Sequence, residues 1–278
     1  MTSETIPQHL LNDFEAIAVP REVHWDPLGL MAVRRHVADT LASFGSVDEH
    51  RFRSAGGEGV NLILKLPGRE ASLKPLLVGA HYDGPLQSIG ADDNASGVVA
   101  LLELARRWSV TPPRRPVWLV AFDQEEWGLL GSRALATDLR RKRQPLNLMV
   151  SLEMLAYTDP TQNYPVPAMR RLYGDRGDFI TLIGNIRASW TLARLTRAMG
   201  RHVKTKLLPV PLAGRILPDV RRSDHSPFWD EGYNALMVTD TSFMRNPNYH
   251  AMTDTIDTLD LPFFASVIDG LDAALAAL

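Results

Sequence analysis

Histidines and acidic residues gather in a few short clusters of this chain, and their types suit a divalent metal ion. His81 and Asp83 stand in HYDG (81–84), and Asp92, Asp93 and Asn94 in GADDNASG (90–97). Asp123, Gln124, Glu125 and Glu126 run consecutively, Glu153 follows an apolar stretch, and His250 closes NPNYH (246–250). The 278 residues include no cysteine, so thiolate sites and disulfides are excluded. Any metal must be held by His, Asp and Glu, a donor mix that fits zinc or another borderline divalent ion. Taken singly, each cluster has an ordinary explanation. Asp92 to Asn94 suit a helix cap, Glu125 and Glu126 suit the first turn of a helix, and a lone histidine is usually just hydrogen-bonded.

The elements that must carry these residues change the balance. Residues 59–66 read as a strand ended by Pro67 and Gly68, and short apolar runs follow at Leu76–Ala80, Val117–Phe122 and Leu148–Leu152. Such runs suit buried strands of a sheet covered on both faces. Phe179–Ile183 and Ala235–Thr239 read as two more strands, and 158–178 as a long irregular loop. The first forty-odd residues read as helical, most clearly Pro27–Phe44, where Leu30, Val33, Val37, Leu41 and Phe44 recur at helical spacing before Gly45. Asn94–Trp108 and Trp127–Arg141 read as helices between the strands, and a further helix closes the chain. Alternating strands and helices predict an α/β fold, with a mixed, largely parallel central sheet flanked by helices on both faces. One domain over 1–278 is expected, since no repeat, low-complexity tract or linker interrupts it. Three of the clusters then follow three separate strands, at the edge where open α/β sheets bind ligands. Glu126 and Glu153 also abut runs expected to be buried, where an unpaired carboxylate is costly and a metal would neutralise it.

The motifs HYDG, GADDNASG, QEEWGLLGS (124–132), SLEML (151–155), SDHSPFW (223–229) and NPNYH together resemble the M28 family of co-catalytic zinc aminopeptidases, from about Asn61 to Leu259. The resemblance implies a zinc exopeptidase-like fold and two zinc ions. It implies His81 and Glu153 on one metal, Glu126 and His250 on the other, and Asp92 bridging both. It also implies a cis peptide bond between Asp92 and Asp93, with Gly90 and Gly97 freeing the turn. Asp83 is expected to accept a hydrogen bond from the far nitrogen of His81, and Glu125 to serve as general base. Glu153 stands where better-known members carry Asp. SLEMLAYTDP, GDFITLIGN and VTDTSFMRNPNYHAMTDT look like a less-studied bacterial branch of the family.

The implied reaction is hydrolysis of the N-terminal amide bond of a peptide or dipeptide, with a glutaminyl cyclase-like aminoacyl transferase or a non-catalytic binding protein as alternatives. A serine hydrolase is set aside because no G-x-S-x-G elbow is present. Met154, Phe243 and Tyr249 are candidates to line a side-chain pocket. Arg245 is a candidate for a substrate carboxylate, but more readily a partner of Asp240 or Asp254. Asp224 and His225 are candidates for supporting hydrogen bonds. The net charge is −2 with pI near 6.4, which lacks the basic footprint of a nucleic-acid binder. The basic run Arg140–Arg143 reads as the solvated end of a helix. No apolar stretch approaches membrane-spanning length and the N-terminus does not read as a secretory signal, so a cytoplasmic enzyme without membrane or nucleic-acid partners is expected.

Overall fold

The computed structural model describes residues 6–54 and 57–278; residues 1–5 of the expected N-terminal helical stretch lie outside them. Eight strands form one mixed sheet: β1 (Val47–Ser54), β2 (Gly57–Leu66), β3 (Leu76–His81), β4 (Val117–Phe122), β5 (Leu148–Glu153), β6 (Ile180–Asn185), β7 (Thr205–Val210) and β8 (Ala235–Thr239). Their order is β1-β2-β4-β3-β5-β8-β6-β7. The four central strands β4, β3, β5 and β8 are mutually parallel, as expected for apolar runs buried on both faces. The hairpin β1-β2 joins β4 antiparallel, and β6 joins β8 antiparallel.

Alternate residues of the central strands feed two separate cores, as the two-residue period of a strand requires. Leu76, Val78 and Ala80 face a large core with Leu119, Val150 and Val238. That core is closed by α1 (Gln8–Ile17), α2 (Pro27–Ala42), α3 (Gly97–Val110), α6 (Ser189–Met199) and α8 (Leu261–Leu275). The opposite face, with Leu77, Val120, Phe122, Met149 and Met237, packs on α4 (Leu130–Arg141) and α7 (His225–Asp230). In α2, Pro27 opens the helix at a position where its missing N–H costs nothing, and Leu30, Val33, Val37 and Leu41 point inward.

Two expected helices begin later than their apolar spacing suggests. Helix α3 starts at Gly97, because Ala91–Ser96 forms a wide turn with non-helical Asp93 and Asn94. Helix α4 starts at Leu130 and not at Trp127, because Gly128 and Leu129 both take positive φ. The loop 158–178 contains one short helix, α5 (Pro167–Tyr173), with no buried residue. Among the described residues no helix is long and apolar enough to cross a membrane.

Candidate metal centre

The register of the central strands sets the first pair of side chains. Gly79 pairs with Ser151, and two residues further along each strand His81 lies beside Glu153 on the same face. His81 Nε2 stands 3.7 Å from Glu153 Oε1 and 3.4 Å from Asp93 Oδ1. The second oxygen of Asp93 turns to the other histidine: His250 Nε2 is 3.1 Å from Asp93 Oδ2 and 3.4 Å from Glu126 Oε2. Two groups result, His81-Asp93-Glu153 and Asp93-Glu126-His250, each with its candidate ligand atoms within 4.8 Å of one another. Glu125 offers an oxygen within the same span of His81 and Glu126. The structure thus gathers His81, Glu125, Glu126, Glu153 and His250 at one strand edge.

Asp92 is the exception, and the sequence expectation for it is corrected here. Its Oδ1 accepts hydrogen bonds from the Ala156 N–H at 3.0 Å and from Ser96 Oγ, and its Oδ2 accepts from Asn246 Nδ2 at 2.9 Å. Asp92 therefore ties its turn to the segments after β5 and before His250, and Asp93 faces both histidines in its place. The physical reason is local: Asp93 has φ −100° and ψ 92°, and in extended backbone successive side chains point to opposite sides. The cis peptide bond is likewise one residue later than expected, between Asp93 and Asn94. Gly90 has φ +54°, and a Cβ there would fall 2.0 Å from the Asp93 carbonyl oxygen. Gly97 is needed for closeness and not for conformation, since its φ is −64° but a Cβ would meet Asn94 Oδ1 at 2.3 Å and Leu152 O at 2.8 Å.

Two aspartates behind the centre clamp the backbone of the acidic pairs. Asp83 accepts from the N–H groups of Glu125 and Glu126 at 3.0 and 3.1 Å, so these residues do not enter helix α4. Asp254 accepts from those of Asp92 and Asp93 at 3.0 and 3.1 Å. His81 Nδ1 lies 3.4 Å from Asp83 Oδ1, as anticipated, but its hydrogen bond runs to the Asp83 carbonyl oxygen at 3.3 Å. A relay of hydroxyls steadies Glu153: Ser151 donates to Ser223, and Ser223 donates to Glu153 Oε2 at 2.7 Å. This leaves Oε1 toward His81. Gln124, Met154 and His250 all take φ between 49° and 57°, a left-handed conformation that is costly without glycine and that concentrates at functional sites.

The electrostatics are those of a site short of positive charge. Burial raises the Glu125 carboxyl well above its ordinary pKa; His81 opposes this, and Glu153, Glu126 and Asp224 add to it. Burial and Asp93 likewise hold Glu126 high. Burial opposes protonation of His81, but Glu125, Asp83, Asp93 and Glu153 outweigh it and raise that imidazole. Most telling are the unsatisfied atoms. His81 Nε2 and Glu126 Oε1 are buried without a hydrogen-bond partner, although His81 Nε2 faces two carboxylates. Buried polar atoms are rarely left so. Imidazole nitrogen and carboxylate oxygen are standard divalent-metal donors, so the residues present fit such ions.

Several contributors left little trace in the sequence. Arg21 is completely buried and donates only to carbonyl oxygens: Tyr82, Val19, Ile89, Gly90 and Asp93. It joins the strand end bearing His81 to the turn bearing Asp93. Arg245 does not ion-pair with Asp240 or Asp254. It is buried over the Phe179 ring and donates to Gln162, Tyr157 O and Phe179 O. Met154 is a core residue with no exposure, whereas Phe243 and Tyr249 line a hollow beside Glu153. His225 packs edge-on against Trp229 and pairs with Val220 O, while Asp224, wholly buried, has its carboxyl raised to about 7, foremost by that burial.

A carboxylate-and-histidine centre at the C-terminal edge of a mixed α/β sheet defines a metallohydrolase class of site. The profile of Peptidase family M28 matches residues 61–274. The uncharacterized protein YfbL of Escherichia coli (strain K12) is 37% identical over 232 residues, covering 78% of this chain and 70% of YfbL. The chain belongs to peptidase family M28. Its fold is similar to that of the Legionella pneumophila LapA aminopeptidase (TM-score 0.68, 16% identity, 98% of this chain and 72% of LapA). It is also similar to an Acidobacteriales bacterium glutaminyl cyclase (TM-score 0.68, 18% identity, 98% of this chain and 97% of the cyclase).

Proposed function

We propose that this chain is a two-zinc exopeptidase that removes the N-terminal residue from peptides or dipeptides. His81, Asp93 and Glu153 would hold one ion and Asp93, Glu126 and His250 the other. The observation that carries this proposal is the position of Asp93, which offers one carboxylate oxygen to each histidine group. Bound there, a pair of divalent ions would polarise the scissile carbonyl and acidify the attacking water. Glu125 does the proton transfer. It takes the proton from the attacking water and returns it to the departing amine, as a positioned carboxylate can. Asp83 accepts from the backbone N–H groups of both Glu125 and Glu126 and so fixes the turn that carries them, in which we assign Glu125 as base and Glu126 as ligand.

The likeness to LapA supports the aminopeptidase form of this chemistry. The nearly complete mutual overlap with a glutaminyl cyclase supports a second reading, in which the substrate's own amine attacks a glutamine side chain and releases ammonia. The shared Asp93 favours two ions and the hydrolytic route. The test is Glu125→Gln against wild type on aminoacyl amides and on an N-terminal glutaminyl peptide, with metal content measured in both proteins. We expect turnover to fall by about 100-fold or more, as for loss of a general base, with metal retained. Undiminished turnover removes Glu125 from the role, and metal loss makes it a ligand. Ammonia release from the glutaminyl peptide without any free amino acid selects the cyclase route. Chelator should silence the wild type and zinc restore it.

A further inference from the structure

Three arginines lie near the centre, and they differ in how many of their donors are already engaged. Arg21 and Arg245 are buried and bound to carbonyl oxygens or Gln162. Arg221, one residue before the third, forks onto both oxygens of Asp230. Arg222 is different. It is exposed, and among the described residues it pairs with no carboxylate. It is nonetheless held in place: its guanidinium lies 5.1 Å from the centre of the Phe243 ring and donates to Tyr249 Oη at 3.3 Å. A guanidinium over an aromatic face gains cation–π attraction without using its in-plane donors. The Tyr249 ring in turn stacks on His250, with centroids 3.9 Å apart and planes 26° from parallel.

Arg222, Phe243 and Tyr249 line one hollow together with Met237 and Glu153. One side of this hollow is therefore a candidate metal ligand, its wall is apolar and aromatic, and it carries a guanidinium with donors to spare. Asp219 also lines it but forms no ion pair with Arg222, so it does not consume the charge.

Building on the exopeptidase proposed above, we propose that this hollow selects substrates bearing a carboxylate and that Arg222 binds it. The carboxylate belongs either to an acidic first side chain or to the free C-terminus of a dipeptide. Guanidinium and carboxylate match as paired, charge-assisted hydrogen bonds, which lysine reproduces only in part.

Two isosteric substrate pairs separate the sources: Glu-Ala-amide against Gln-Ala-amide, and Leu-Ala against Leu-Ala-amide. In wild type we expect kcat/KM to favour the charged member of one pair by roughly tenfold, the scale of one charge-assisted hydrogen bond. Arg222→Gln should bring that ratio close to one, and Arg222→Lys should keep part of it. Because each readout is a ratio within one protein, partial misfolding does not mimic the effect. Equal rates within both pairs in wild type, or a preference that survives in Arg222→Gln, overturns the assignment. Calorimetric titration of the metal-free protein with the α-amide of glutamate against the α-amide of glutamine, and with Leu-Ala against its amide, reads binding without turnover. A charged-ligand preference there, lost in Arg222→Gln, upholds the anchor even if no substrate is cleaved, an outcome that would sink the exopeptidase proposal alone. No preference there and no cleavage would sink both.

Discussion

At the scale of single residues, the division of labour between Asp92 and Asp93 is the sharpest feature of this centre. Two adjacent aspartates, identical in chemistry, face opposite ways. Asp92 is saturated by the Ala156 N–H, Ser96 and Asn246, and Asp93 looks toward both histidines. The two should therefore fail differently on mutation. Asp93→Asn removes the shared charge, so metal content measured by atomic absorption should fall below one ion per chain and turnover by about 100-fold or more, given the weight of the ion in such chemistry. Asp92→Asn keeps the shape, and its oxygen can still accept from Ala156 and Ser96, but its amide nitrogen then faces the Asn246 donor, which is left without an acceptor. Its expected signature is a loss of about 1–3 kcal/mol in urea unfolding with metal retained. The reverse pattern would restore Asp92 as the bridge. The consecutive acids in GADDNASG show that a carboxylate belongs here but not which one, because the choice depends on backbone angles that residue types do not encode. His81, Glu153 and His250 have no like neighbour to compete with them, whereas Glu125 and Glu126 stand side by side and are assigned apart only through the family resemblance.

At the scale of elements, the segment before the family match is part of the centre. Arg21 lies ahead of residue 61, where the match begins, yet its guanidinium bonds the carbonyls of Tyr82, Gly90 and Asp93. Arg34 of α2 adds a second tie, donating to Tyr82 Oη at 2.7 Å and to Asp123 at 2.8 Å. Glu22 accepts from Trp127 Nε1 at 2.6 Å, joining this segment to the loop of Glu125. Replacing Arg21 by Gln strands several buried carbonyls, each at a cost of about 1–3 kcal/mol, and loosens the turn carrying Asp93. We expect zinc affinity, measured by chelator competition, to fall tenfold or more, with faster amide exchange across residues 82–93. Arg21→Lys should recover part of it. Lower stability with unchanged zinc affinity would reduce Arg21 to a core prop. None of this was readable beforehand, because an arginine in a sequence looks like surface until its donors are seen to be used. The same limit explains the missed strands. β1 alternates half-buried and exposed residues around charged side chains, and β7 sits at the sheet edge with Pro209 inside it. The central strands were legible because burial on both faces demands unbroken apolar runs.

At the scale of the whole molecule, stability should depend on both metal and pH. Ions that bind only the folded chain stabilise it by about 2.7 kcal/mol per site at a hundredfold excess over the dissociation constant. Chelator should accordingly lower the urea midpoint, and zinc should restore it. The pH dependence has a separate source away from the metal ligands. His225 is wholly buried between Val220 O and Trp229, with Nδ1 lacking any hydrogen-bond partner. Protonating it would strand a charge with no acceptor. Burial accordingly lowers its pKa to about 3, against an ordinary value near 6.5. The unfolded chain thus binds a proton from pH 6.5 downward while the folded chain resists it. The contribution of His225 to stability is complete above pH 6.5 and is lost as pH falls toward about 3. The slope is at most about 1.4 kcal/mol per pH unit, so roughly 2–3 kcal/mol should be gone by about pH 4.5. The buried carboxyls of Asp254 and Asp224, raised to about 7 by burial above all, slope the other way, so wild type alone would blur the effect. The difference between wild type and His225→Gln isolates it, because the glutamine amide nitrogen stands where His225 Nε2 does and can still donate to Val220 O, but does not titrate. Unfolding free energies measured between pH 7 and 4.5 should converge as pH falls, with wild type losing its advantage. Parallel curves would mean that protonated His225 finds an acceptor, and that the packing of α7 against the sheet is looser than the buried imidazole implies.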